Sequence, residues 1–161
     1  MNNVNVRLAQ LADASDSESI LRLLEHYYEH PMGAGGPLPA DVRGRVLDGL
    51  RSHPTTLVFL AEQAGVAQGM AVCFLGYSTF KARPLINIHD LVVHGDCRGQ
   101  GLGSALIDAV IEHARENSCG AVTLEVRADN PARKLYAKKG FEDLTDPTHG
   151  ETMLFGKRTL V

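Results

Sequence analysis

The chain has 161 residues, 44% of them hydrophobic and 22% charged, with a formal net charge of -3 and a pI near 6.1. That size and balance suit one globular α/β domain spanning residues 1–161, and they fit neither disorder, collagen nor coiled coil. The lack of a basic excess argues against nucleic acid. With no apolar run of bilayer length and no export signal over residues 1–10, no membrane partner and a cytoplasmic location are expected.

In chain order, Val4, Val6 and Leu8 alternate with polar residues as in a strand. Ser15 and Glu18 have capping-box spacing ahead of Ile20, Leu23, Leu24, Tyr27 and Tyr28, an amphipathic helix that should stop near His30-Pro31. A Gly/Pro-rich loop over 32–39 leads to a shorter helix, capped by Asp41 and closed by His53-Pro54. Residues 55–61 and 66–75 read as a hairpin, and 86–93 as a third strand. A helix from about Leu102 should end by Gly120, with a strand at 121–126. Asn130-Pro131 then opens a short helix ending before Gly140, and 141–144 and 153–161 close the sheet. Cys73, Cys97 and Cys119 are odd in number and lack CxxC spacing, so reduced thiols are expected and no metal site.

The run Arg98, Gly99, Gln100, Gly101, Leu102, Gly103, Ser104 places glycines and an arginine at the start of a helix, where unpaired N–H groups favour an anion. The spacing matches neither the dinucleotide GxGxxG nor the Walker A loop. The surviving pattern, Arg98-x-x-Gly101-x-Gly103, resembles the acyl-CoA pyrophosphate loop of the GNAT superfamily, the Gcn5-related N-acetyltransferases. A second element, residues 130–141, carries Asn130, Ala132, Leu135-Tyr136 and Gly140-Phe141 in the family's order and spacing.

The resemblance implies a mixed, mostly antiparallel sheet with a splayed parallel strand pair, flanked by helices. It implies acetyl-CoA as cosubstrate, with backbone groups of Leu91, Val92 and Val93 on the pantetheine arm and Arg98 to Ser104 around the diphosphate. Asn130 and Ala132 are also expected at the cofactor. Tyr136 falls where family members place a general acid, and its phenol, with an ordinary pKa near 10, is protonated at neutral pH. For the base, His89 and Asp90 are adjacent, so strand alternation is expected to send them to opposite faces. Polyamine-acetylating relatives commonly carry glutamate where this chain has His89, whose ordinary pKa near 6.5 suits a base. Tyr27, Tyr28 and Glu29 are candidate walls of the acceptor pocket. The expected activity is acetylation of a small-molecule amine by a homodimer. Two alternatives stay open: a CoA-binding regulatory module without turnover, and acetylation of a protein N-terminus or lysine.

Overall fold

The computed structural model describes residues 4–143 and 153–160. The elements are β1 (Asn5–Leu8), α1 (Ala14–Glu29), α2 (Ala40–Ser52), β2 (Thr56–Gln63), β3 (Val66–Ser78), β4 (Arg83–Val93), α3 (Leu102–Glu116), β5 (Ala121–Arg127), α4 (Arg133–Lys138), β6 (Glu142–Asp143) and β7 (Met153–Thr159). Among the described residues the strands form one sheet in the order β1-β2-β3-β4-β5-β7-β6. Every pairing is antiparallel except β4 with β5, which is the mixed sheet expected. Leu144 and Val161, expected in the closing strands, lie outside the described residues. No described helix is long and apolar enough to cross a membrane.

Two cores sit on opposite faces of the sheet. On one, α3 packs Leu106, Ile107 and Val110, all fully buried, against Ile86, Val122 and Leu124. On the other, α1 and α2 pack Ile20, Leu23 and Leu50 against Val58, Leu60, Met70, Val72 and Val92. Burial of each such side chain contributes about 2 kcal/mol, and these faces set which strand residues remain for a site.

The caps differ from expectation. Asp13, rather than Ser15, caps α1: one of its carboxylate oxygens accepts the N–H groups of Ser15 (2.9 Å) and Asp16 (3.0 Å). A carboxylate that takes two of the unpaired first-turn donors satisfies more of the helix end than a single hydroxyl. Asp41 does not cap α2, which begins one residue earlier after Pro39; it pairs with Arg45 at 2.8 Å.

Arg7 fastens β1 to α1 and β2. Its guanidinium donates to both oxygens of buried Asp16 (2.8 and 2.7 Å) and to Glu62 (2.8 Å). The Arg7 hydrogen bonds hold the Asp16 carboxyl below the usual range. A lowered folded-state value means that the stabilisation is present above the unfolded value of about 4 and is lost as the pH falls through the folded value. Asp16→Asn should therefore lower stability by about 2 kcal/mol at pH 7. The gap between variant and native protein, read by urea unfolding, should narrow below pH 4.

Candidate active site

The parallel ladder between β4 and β5 is short. It runs from Leu85↔Ala121 to Ile88↔Leu124 and stops, although β4 continues to Val93 and β5 to Arg127. Beyond Ile88, β4 keeps its β3 partner and β5 keeps β7, so the facing edges of both strands are unpaired. Backbone N–H and C=O groups along residues 89–93 therefore line a slot that accepts an extended amide ligand as it would another strand.

A bulge coincides with the opening. Val72 pairs with Asp90 and Cys73 with Ile88, which leaves His89 as an extra residue in β4. The bulge shifts the alternation by one: Ile86 and Ile88 face the α3 core, and after it Leu91 and Val93 do, while Val92 joins the α1 core. It also corrects the expectation that His89 and Asp90 take opposite faces, because both lie on the α1 side. The His89 ring meets Phe74 edge-on at 5.7 Å, and Phe74 packs on the α1 core. Asp90 stands opposite Val72 of that core, and its charge reaches Tyr27 on α1.

The slot widens into a cleft of about 600 Å³ that gathers residues from α1, β4, α3, β5, α4 and the loops between them. Tyr27 comes from α1, His89 and Leu91 to Val93 from β4, Arg98, Gly99 and Gly103 from the loop and start of α3, Asn130 and Ala132 from the turn before α4, and Tyr136 from α4. Asp90, Gln100, Gly101, Leu102, Ser104, Tyr28 and Glu29 are not in its lining. Tyr28 serves the α1–α2 loop instead, its carbonyl accepting the N–H groups of Ala34 and Gly35, and Glu29 is exposed.

Glu125 was not singled out from the sequence, yet it lines the cleft. It is the sole charged residue in the run 121–126, which is the signal that sequence reading passed over. The Asn87 amide donates to Thr123 Oγ1 (3.1 Å) and to a Glu125 carboxylate oxygen (3.3 Å), tying the two strands at the point where they part.

The charges are graded. Burial pushes the Tyr136 phenol up to about 12, with the Tyr27 phenol adding to the shift, so Tyr136 keeps its proton at neutral pH. Burial also raises the Asp90 carboxyl above the usual range, against the opposing influence of His89. Tyr27 is itself raised by burial and by Asp90, so one α1 side chain links the Asp90 and Tyr136 sides of the site.

The loop at the mouth of the slot is shaped by its glycines. Gly99 (φ 75°) and Gly101 (φ 90°) are left-handed, and a Cβ on either would meet open space, so backbone conformation alone demands glycine there. The first main-chain bond of α3 is Ala105 N–H to the Gly101 carbonyl at 2.9 Å, which leaves Leu102, Gly103 and Ser104 ahead of the helix ladder. Asn130 Oδ1 accepts the Ala132 N–H at 2.9 Å and turns the chain into α4. The loop is anchored to α1 by histidines. Gly95 N–H donates to His26 Nε2 (3.1 Å), and the His26 ring stacks on His94 at 4.4 Å. Met32 N–H and the Arg98 guanidinium both point at the His30 ring, at 3.1 Å each, yet a neutral imidazole offers one acceptor. Among the described residues no carboxylate pairs with Arg98, whose guanidinium donates to the Val93 carbonyl at 3.4 Å beside the His30 ring.

Burial lowers the His26 pKa, and His94, Arg98 and His30 lower it further. A histidine depressed on folding is kept neutral by the fold, so stability is lost as the pH falls from the unfolded value near 6.5 through the folded one. In a histidine NMR titration the His26 midpoint should lie below 6.5, and protonation should loosen the Gly95 amide. A midpoint at or above 6.5 would show that the anchor is not built as described.

Residues 18–141 match the acetyltransferase (GNAT) family. The chain is 31% identical over 144 residues to a thialysine N-epsilon-acetyltransferase of Bos taurus, covering 84% of each chain. It is 33% identical over 135 residues to a glucosamine 6-phosphate N-acetyltransferase of Trypanosoma brucei brucei, covering 82% of this chain and 86% of that one. Its fold matches that of yncA from Salmonella typhimurium, solved with its cofactor acetyl-CoA, at a TM-score of 0.73 and 22% identity over 99% of this chain and 95% of that one. With the split β4–β5 pair and the glycine loop beside it, the chain belongs to the GNAT acetyltransferase family.

Proposed function

We propose that the protein is an acetyl-CoA-dependent N-acetyltransferase acting on a primary amine of a small molecule by direct attack on the thioester. The observation that carries this reading is the opening of β4 from β5 past Ile88 and Leu124, with Tyr136 and His89 on the walls of the same cleft. The unpaired edge of β4, the open space over Gly99 and Gly101 and an Arg98 charge that no described carboxylate neutralises suit a pantetheine arm and its diphosphate. Bound acetyl-CoA supplies the activated acetyl group. His89 takes the proton from the attacking amine, Tyr136 gives one to the departing thiolate, and a backbone N–H at Leu91 or beside it stabilises developing oxyanion charge. Asp90, whose carboxyl burial raises above the usual range, is next to His89 on the same sheet face and is assigned the role of orienting its imidazole. Glu125 is the second candidate base, because it lines the same cleft. Two relatives named for thialysine and glucosamine 6-phosphate support a small amine as acceptor. A cytoplasmic location and a homodimer belong to the same proposal.

The test is release of free CoA thiol with a panel of amines, with peptides bearing a free N-terminus as the comparison arm. Turnover of small amines supports the reading; tight acetyl-CoA binding with no turnover assigns a regulatory module. Tyr136→Phe should lower kcat roughly 10 to 1000-fold with little change in acetyl-CoA affinity, and unchanged turnover would remove its acid role. His89→Ala should abolish the acidic limb of the pH–rate profile. If the limb survives in that variant and disappears in Glu125→Gln, the base is Glu125.

A further inference from the structure

The same sheet face carries a second cavity, of about 610 Å³, at the opposite end of the β4–β5 pair. Val122, Leu124 and Val126 point into the α3 core, so Ala121, Thr123 and Glu125 face the other way. Thr123 stands in the wall of this cavity and Glu125 in the wall of the cleft. Two positions apart on one strand face, they are separated by roughly 7 Å, and the Asn87 amide bonds to both. Cavity and cleft thus adjoin along β5, with the Asn87 hydrogen bonds at their boundary.

Their charges are opposed. Lys81, Arg83 and Lys157 line the cavity, no Asp or Glu does, and among the described residues none of the three cations is held in an ion pair. Lys157 stands directly across from Thr123. Glu125 lies at the cleft end, with Asp90 beyond it under α1. A positive pocket one strand-step from a carboxylate is complementary to a molecule with an ammonium at one end and an anion at the other.

Resting on the acetyltransferase reading above, we propose that the acceptor is an amine carrying an anionic group, carboxylate or phosphate, which Lys81, Arg83 and Lys157 hold while its amine lies at His89 and Glu125. Lys81, Arg83 and Lys157 line the cavity and not the cleft, so their effect falls on acceptor specificity.

The test compares 5-aminopentanoate, 4-aminobutyl phosphate, neutral pentylamine and cationic 1,5-diaminopentane as acceptors. The better of the two anionic amines should exceed pentylamine and the diamine in kcat/KM by tenfold or more, and its identity distinguishes carboxylate from phosphate. In the double variant Lys81→Gln/Lys157→Gln that ratio should fall to within about threefold of one; Arg83 is kept because its stem packs on Gly120. A ratio taken within one protein preparation is insensitive to a change in its folded fraction. Calorimetric binding of the same amines to the CoA-loaded protein reads the pocket without turnover. Lysine-dependent binding of an anionic amine without acetylation would sink the enzyme reading and keep the pocket. A native preference for pentylamine or the diamine, a ratio unchanged in the double variant, or turnover with no dependence on the anion would overturn the proposal.

Discussion

The β4–β5 ladder stops four residue pairs after it starts, and the rest of the site follows from that interruption. A parallel strand pair that continued to Val93 and Arg127 would satisfy its own backbone groups and leave nothing for a ligand. Instead the two strands stay fixed by their outer neighbours, β3 and β7, while their inner edges open. The bulge at His89 sits at the fork and turns His89 and Asp90 to one face. Asn87 closes the fork from below through Thr123 and Glu125. A single irregularity in pairing thus creates the slot, aims the titratable groups and sets the depth of the cleft.

The fork is held open by packing rather than by loops. The α3 core binds β4 and β5 from one side through Ile86, Ile88, Val122 and Leu124, and the α1 core binds β3 and β4 from the other through Val72 and Val92. Gly103 shows how tight this is at the start of α3: an added Cβ would lie 3.3 Å from Leu135 and 3.7 Å from Val93. The last turns of α1 bring His26 and His30 to the loop, and Tyr27 to Asp90 and Tyr136. The same helix therefore steadies the mouth of the slot and places Tyr27 between Asp90 and the candidate acid Tyr136.

Much of this was legible in the residues, for physical reasons. Gly99 and Gly101 are recognisable because no other residue adopts their backbone conformation without strain, and Asn130 because its side chain makes a turn. Periodicity found α1 and α3, since each buries one face, and the Asn130-Pro131 pair marked the start of α4. The bulge was not legible: nothing in Ile88-His89-Asp90 differs locally from regular strand, and the extra residue appears only when β4 is laid against β3. Glu125 was missed for a related reason, as an isolated polar position in a strand gains meaning only when its neighbour β4 is known. Lys81 and Arg83 gain meaning only beside Lys157, which lies far along the chain and joins them in one cavity through the fold.

The account depends most directly on the slot being where acetyl-CoA binds. Amide hydrogen exchange with and without acetyl-CoA reads this residue by residue, because amides on an unpaired strand edge exchange freely until a ligand takes them up. Within residues 89–93 the amides that point away from β3, together with the loop 99–104, should become protected on binding, while amides already bonded to β3 and those of Ile86 and Ile88 should change little. Binding that protects other segments and leaves 89–93 and 99–104 exchanging as before would contradict the account.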